Sequence, residues 1–199
     1  MPAMPEPMNF CPNCGAPIEF RVPEGDDRKR NICSATGEIF YDNPRNVVGT
    51  LVERDGRMLM CRREIEPRRH FWTLPAGFLE LGETSAGGAA RETLEEAGVQ
   101  VRAPRLFNLI DVTHIGQIHM FFIAEMVGDH YAPGQESNDV RFFAEDEIAW
   151  PQLAFPSIHR TLERYFADRA GGHFGVHVES LAAADWHAMA LDRRPRDVG

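Results

Sequence analysis

The sequence predicts an α+β domain with a small cysteine-bearing module in front of it. Strand-like and helix-like stretches alternate along residues 43–170, which favours helices packed on a mixed sheet. Three of the four cysteines lie within the first 33 residues, in a segment with its own turn residues. The 199 residues are 43% hydrophobic and 26% charged, which is enough apolar content for one core with a small appendage.

The elements of the main domain follow from turn residues and hydrophobic spacing. The first two strands form a hairpin closed by Asp55-Gly56. Pro75-Ala-Gly77 predicts a turn, and Glu83 to Ala97 predicts a helix that Gly98 ends. The strands are expected at residues 47–52, 57–61, 105–111, 117–126 and 140–143, with a short strand or loop at 71–74 and a second helix at 157–170.

Breaks in composition divide the chain into four segments. We expect a flexible N-terminus over residues 1–9, a cysteine module over 10–42, a main domain over 43–170 and a C-terminal extension over 171–199. The extension begins at Gly171-Gly172 and predicts an Ala-rich helix around Trp186, over residues 180–191.

Charge and the missing apolar runs exclude several classes of function. The net charge is −9, whereas a nucleic-acid-binding protein more often has a basic face, so we expect no nucleic-acid partner. A membrane span would need about 18 apolar residues in a row, and the sequence has no such run. The N-terminus lacks the basic and apolar regions of a secretory signal, so we expect a cytoplasmic protein.

Three glutamates give the clearest indication of chemistry. Glu92, Glu95 and Glu96 are spaced i, i+3 and i+4, so a helix places all three on one face. Converging carboxylate oxygens suit Mg²⁺ or Mn²⁺, which in turn bind the phosphate oxygens of substrates. The alternative is a solvated acidic face of a helix, which is common for an isolated Glu-x-x-Glu-Glu.

The wider pattern resembles the Nudix box, written G-x5-E-x7-R-E-U-x-E-E-x-G-U, where U is aliphatic. The matching positions are Gly77, Glu83, Arg91, Glu92, Glu95, Glu96, Gly98 and Val99. Thr93 departs from the pattern because it takes an aliphatic position, and we expect it to change packing beneath the helix. The resemblance implies a Nudix α/β/α sandwich with a mixed sheet.

The resemblance also implies roles for residues of the box. Glu92 and Glu96 are expected to bind the metal, and Glu95 to bind a second metal or orient water. The carbonyl of Ala76 would be a further ligand, with Gly77, Glu83 and Arg91 supporting the site. The expected general base is a box glutamate or Glu136, whose alternative is an ordinary solvated loop residue.

Three further residues are candidates for binding the substrate. Arg62 and Arg63 lie at a strand end and could bind phosphate, although surface arginines are equally consistent with this pattern. Trp72 could stack on a base or a flavin ring, and its alternative is a position in the core.

Other matches resemble the Nudix subgroup that carries an N-terminal zinc ribbon and includes FAD and ADP-ribose pyrophosphatases. These lie at residues 41–44, 47–49, 72–77, 116–117, 132–134 and 136–137. Cys11, Cys14 and Cys33 match three ligands of such a ribbon, but Thr36 stands at the fourth position. Either water or a distant residue completes a zinc site, or the module has lost zinc. A redox pair is less consistent with the context, since no βαβ unit is expected there.

The expected activity is therefore metal-dependent hydrolysis of a diphosphate bond in a small nucleotide such as ADP-ribose, FAD or NADH. The signature run of NADH hydrolases is absent, so the substrate stays open. A regulatory nucleotide sensor on the same fold is the alternative, and an isomerase is a third possibility. The family resemblance alone implies a homodimer.

Overall fold

A computed structural model describes residues 7–184 of the chain. The chain divides into two compact units. Among the described residues, the first unit comprises residues 7–44 and 114–116, and the second comprises residues 45–113 and 117–184.

The first unit contains a three-stranded antiparallel sheet in the order β1-β2-β3. Its strands are β1 (Ile18–Arg21), β2 (Arg30–Cys33) and β3 (Ile39–Phe40). The buried residues Cys11, Ile32 and Cys33 form its small interior. Asp26 holds the turn between β1 and β2 by accepting hydrogen bonds from Arg30 and from the amides of residues 27 and 28. These bonds lower the pKa of its carboxyl to about 2.

The second unit is built on one mixed sheet in the order β10-β5-β4-β9-β8-β11, in which β6 also pairs with β5 and β7 with β4. Two neighbour pairs, β4 with β9 and β8 with β11, are parallel. The strands are β4 (Arg45–Arg54), β5 (Arg57–Arg63), β6 (Trp72–Thr73), β7 (Ala76–Phe78), β8 (Gln100–Val112), β9 (Gln117–Val127), β10 (Ser137–Phe143) and β11 (His177–Ser180).

Two helices cover the two faces of this sheet. Helix α1 (Ser85–Ala97) contributes Ala97 to a buried cluster with Val52, Leu59 and Cys61. Helix α2 (Pro156–Gly171) contributes its apolar side chains to a separate core with Leu51, Met58 and Met60. Because neighbouring strand residues point to opposite faces, these two clusters lie on opposite sides of the sheet. The α+β class and the α/β/α sandwich are therefore confirmed.

The ends of α1 are set by local chemistry. The side chain of Thr84 accepts a hydrogen bond from the amide of Gly87, and Gly98 adopts the left-handed conformation with φ of 66°. The helix thus begins two residues after the expected Glu83.

Within the described residues, no helix is long and apolar enough to cross a membrane.

Three expectations about local structure were wrong. Residues 76–78 form a strand instead of a turn, because Gly49 on β4 leaves room for it: a Cβ there would lie 2.5 Å from the Cβ of Ala76. Residues 140–143 are not in the last strand, since β11 follows α2 and pairs in parallel with β8. Ser180, where the Ala-rich helix was expected to begin, ends β11, and Trp186 lies outside the described residues.

Candidate active site

The three glutamates of α1 differ sharply in burial. The side chain of Glu95 is 57% exposed, that of Glu92 is 12% exposed, and Glu96 as a residue is 6% exposed. Desolvation raises the pKa of Glu96 to about 8, and repulsion from Glu92 adds to that effect. A hydrogen bond from the amide of Ala76, at 2.9 Å, favours the charged carboxylate but does not offset its burial. The solvated acidic face considered as an alternative does not describe Glu92 and Glu96.

Gly77 makes room for the carboxylate of Glu92. A Cβ on Gly77 would lie 2.4 Å from both carboxylate oxygens of Glu92. Any side chain at this position would therefore displace the carboxylate. Desolvation raises the pKa of Glu92 despite its hydrogen bond from Arg91, so this group too is destabilised as an anion.

Arg91 holds the other carboxylates in place. Its Nη1 donates to Glu92 at 2.8 Å and to Glu95 at 2.9 Å. Its Nε and Nη2 donate to the two oxygens of Glu83, at 3.1 and 2.7 Å, and Nη2 also donates to the carbonyl of Phe78. All five N–H donors of the guanidinium are engaged. The same contact lowers the pKa of Glu83 to about 2, so Glu83 is a fixed anion that orients Arg91.

The carbonyl of Ala76 points toward α1. On either side of β7, the carbonyl of Pro75 accepts from the amide of Thr50, and the amide of Leu79 donates to the carbonyl of Asn46; Thr50 and Asn46 are both on β4. Since backbone groups alternate in direction along an antiparallel strand, those of Ala76 point away from β4. The bond from its amide to Glu96 agrees with this direction. The carbonyl is therefore available on the side where the carboxylates lie.

A second loop brings Glu136 to the same region. The amides of Ala132 and Gly134 donate to the carbonyls of Ala97 and Glu96, at 2.8 and 3.1 Å. These bonds satisfy carbonyls at the C-terminal end of α1 that have no partner within the helix. Glu136 follows as an exposed residue whose charge raises the pKa of both Glu92 and Glu96.

Arg62 and Arg63 lie on opposite faces of β5. Arg63 is 9% exposed, and desolvation lowers its pKa while the charges of Glu96 and Glu136 raise it. The interpretation of Arg63 as a surface arginine is therefore wrong.

Arg62 is paired directly across from Trp72 and shares its face, away from the α1 carboxylates. Trp72 packs edge-on against Phe143, with centroids 4.7 Å apart, and belongs with the α2 core, which favours the core interpretation of this residue.

The donor set fits a hard divalent cation. Glu92, Glu96 and the carbonyl of Ala76 offer oxygen ligands, and Glu95 and Glu136 lie beside them. Among residues 7–184, the cysteines are the only group in which three side-chain ligand atoms lie within 4.8 Å of one another. The carboxylates of this site are therefore spread more widely than that. The carboxylates would thus hold Mg²⁺ or Mn²⁺ together with a backbone carbonyl and water, as Mg²⁺ commonly binds in proteins.

Thr93 has a buried partner that no pattern in the sequence indicates. Its hydroxyl donates to the carbonyl of Ala89 at 2.7 Å and lies 2.6 Å from the hydroxyl of Thr50 on β4. Since Thr93 uses its single proton on Ala89, Thr50 is the donor of this second bond. Both residues are fully buried, so the departure from the box pattern is accommodated by a buried polar pair beneath the helix.

In the first unit, Cys11, Cys14 and Cys33 bring their sulfurs within 4.8 Å of one another. The Cys14 and Cys33 sulfurs are 3.5 Å apart. Hydrogen bonds from the hydroxyl and the amide of Thr36 lower the pKa of the Cys33 thiol to about 6. Thr36 is therefore located at the cysteine cluster.

Comparisons with known proteins agree with this geometry. A NUDIX domain model matches residues 42–166, and a model of the Nudix N-terminal zinc ribbon matches residues 9–42. The crystal structure of a NUDIX hydrolase from Nitrosomonas europaea is 43% identical, with a TM-score of 0.84, covering 87% of this chain and 99% of that one.

Two curated relatives carry more specific names. An ADP-ribose pyrophosphatase from Methanocaldococcus jannaschii is 29% identical, over 58% of this chain and 70% of that protein. An NAD-capped RNA hydrolase, NudC, from Chromobacterium violaceum is 32% identical, over 80% of this chain and 58% of that protein. The match to the NUDIX model spans most of the chain and contains every box residue described above, so the chain belongs to the Nudix family of hydrolases.

Proposed function

We propose that this enzyme hydrolyses the diphosphate bond of a nucleoside diphosphate joined to a second group, as in ADP-ribose, FAD or NADH. The products are a nucleoside monophosphate and a phosphorylated second group. The observation that carries the proposal is the burial of Glu92 and Glu96 beside the outward carbonyl of Ala76. Two destabilised carboxylates next to a free carbonyl form a site for a cation that binds phosphate oxygens.

Different residues of this site bind the cation and activate water. Glu92, Glu96 and the Ala76 carbonyl would hold Mg²⁺ or Mn²⁺, and the bound cation neutralises the phosphate oxygens and acidifies water. Glu95 would orient water or hold a second cation, since it is exposed and fixed by Arg91. Gly77, Glu83 and Arg91 position these carboxylates.

Glu136 is the general base in this proposal. It is exposed, and its carboxylate is close enough to Glu92 and Glu96 to affect both electrostatically. It accepts a proton from the attacking water as the new P–O bond forms and the bridging P–O bond breaks. The alternative base is Glu95, which the same experiment distinguishes.

Among the candidates for binding phosphate, Arg63 has the strongest support. Its buried guanidinium lies near Glu96 and Glu136, and a phosphate oxygen would be a better partner for it than the carbonyl of Pro67 that it now contacts. Arg62 and Trp72 face the other side of the sheet, so direct substrate contacts from them are less well supported.

The names of the relatives extend the range of substrates to be tested. An NAD cap on RNA contains the same kind of diphosphate bond as NADH, so NAD-capped RNA is a second candidate despite the net charge of −9. The two candidates differ in whether an RNA chain must be accommodated. We also propose that the partner of the chain is a second copy, which light scattering after gel filtration would test.

The test is a panel of ADP-ribose, FAD, NADH and NAD-capped RNA, assayed with Mg²⁺ and with Mn²⁺. We expect Glu96→Gln to lower kcat by roughly 100-fold or more and to weaken the dependence on Mg²⁺. We expect Glu136→Gln to lower kcat by about 10²–10⁴-fold with the Mg²⁺ dependence unchanged, as removal of a general base does.

Glu163→Gln is the matched control, since Glu163 is an exposed glutamate of α2 away from the carboxylates. If Glu95→Gln rather than Glu136→Gln gives the large loss of kcat, the assignment of the base is wrong. If no member of the panel is turned over with either metal, the proposed activity is wrong and a nucleotide sensor becomes the better interpretation.

A further inference from the structure

The cysteine module contains two turns with the same backbone geometry. In the first turn, the amide of Gly15 donates to the carbonyl of Cys11 at 2.9 Å, and in the second the amide of Gly37 donates to that of Cys33, also at 2.9 Å. Both glycines adopt the left-handed conformation, with φ of 73° and 71°. Thr36, immediately before Gly37, is therefore the counterpart of Cys14, immediately before Gly15.

The sulfurs are spaced for a tetrahedral cation. A zinc–sulfur distance of about 2.3 Å places two sulfurs of a tetrahedron about 3.8 Å apart. The Cys14 and Cys33 sulfurs are 3.5 Å apart, and all three sulfurs lie within 4.8 Å of one another. No fourth Cys, His, Asp or Glu joins the group at that distance in the described part of the chain. Three corners of a tetrahedron are thus present.

Thr36 stands at the fourth ligand position of the sequence pattern, but it is not a zinc ligand. Its hydroxyl is hydrogen-bonded to the sulfur of Cys33 and accepts from the amide of Glu38 at 3.3 Å. A neutral hydroxyl is not among the groups that bind structural zinc, which are thiolate, imidazole and carboxylate. Both Thr36 and Cys14 are exposed, so solvent reaches this position.

We propose that the module binds one Zn²⁺ through the thiolates of Cys11, Cys14 and Cys33, and that its fourth coordination position is open to solvent. Water binds there, and a small exogenous ligand such as imidazole or 2-mercaptoethanol replaces it. The site thus has the open coordination that distinguishes exchangeable zinc from a closed structural site with four protein ligands. Zinc is correspondingly held less tightly than by four thiolates.

The test uses the full-length protein loaded with Co²⁺ in place of Zn²⁺, compared with Thr36→Cys and Thr36→Val. We expect the cysteine module of wild type to give sulfur-to-Co²⁺ charge-transfer absorption about three quarters of that of Thr36→Cys, from three thiolates against four. Titration with imidazole should shift the wild-type and Thr36→Val spectra saturably and leave the Thr36→Cys spectrum unchanged. Thr36→Cys should also bind Zn²⁺ on the order of 100-fold more tightly in competition with a chromogenic chelator.

Two results would overturn the proposal. If wild type shows no sulfur-to-metal charge-transfer absorption with equimolar Co²⁺, the module is metal-free. If the wild-type spectrum does not respond to imidazole, a fourth protein ligand closes the site. The imidazole titration on wild type needs no variant, so failure of Thr36→Cys to fold would still leave the proposal testable.

Discussion

Gly77→Ala tests whether the position of the Glu92 carboxylate determines metal binding. The added Cβ would lie 2.4 Å from three atoms at the end of the Glu92 side chain, so that carboxylate must move. The end of a flexible side chain moves at a cost of about 0.5–1.5 kcal/mol for an unfavourable rotamer. The backbone at Gly77 lacks a positive φ, so alanine adds no strain there. We therefore expect little loss of stability but about 10–100-fold weaker metal binding.

The assay combines the free energy of unfolding in urea with the Mg²⁺ concentration at half-maximal activity. Gly134→Ala is the contrasting variant, because its Cβ would lie 1.6 Å from the backbone oxygen of Glu95, which cannot rotate away. It should lose more than about 2 kcal/mol of stability. Gly171→Ala, with nothing within 4 Å, is the neutral control. Wild-type Mg²⁺ dependence in Gly77→Ala would refute the reasoning about Glu92.

Three further predictions follow from buried contacts. Arg91→Lys removes a planar guanidinium whose five donors are all engaged, so it should lower the free energy of unfolding in urea by about 1–3 kcal/mol. The control is Arg102→Lys, in an exposed ion pair, which should change that free energy by less than about 0.5 kcal/mol. Thr93→Val should lower the free energy of unfolding by about 1–3 kcal/mol, because it leaves the buried hydroxyl of Thr50 without an acceptor. The double variant Thr50→Val, Thr93→Val should recover most of that loss, whereas purely additive effects would contradict a hydrogen-bonded pair. Burial lowers the pKa of His119 from 6.5 to about 4, so between these pH values the unfolded chain binds a proton that the folded chain does not. Wild type should therefore lose up to about 3 kcal/mol of stability as the pH falls from 6.5 toward 4, and His119→Gln should lack this part of the loss in urea titrations at each pH; equal losses in the two proteins would contradict the assignment.

Local chemistry explains what could be predicted about the fold. Asp55 and Gly56 both have positive φ, at 52° and 76°, as the two-residue turn of a hairpin requires, and the residues that form such turns can be read directly. The spacing of Glu92 and Glu96 likewise placed them on one helix face. In both cases the controlling contacts lie within four residues along the chain.

Features that depend on distant pairing were not predictable in this way. Residues 76–78 became a strand only because β4 lies beside them, and β11 pairs with a strand more than 60 residues earlier. Alternation shows that Arg62 and Arg63 face opposite sides of a strand, but only the position of α1 shows which of them meets the carboxylates. The amide of Ala76 on Glu96 joins residues 20 positions apart, with no local pattern to reveal it.

The candidate active site carries more negative than positive charge. Five carboxylates lie in this region, those of Glu83, Glu92, Glu95, Glu96 and Glu136. Two guanidinium groups oppose them, since Arg91 binds the first three and Arg63 lies near the last two. Five negative charges against two positive ones leave an excess of three when all are ionised, and one divalent cation offsets only part of it. A diphosphate adds further negative charge, so we expect it to enter with additional metal ions bound to its own oxygens.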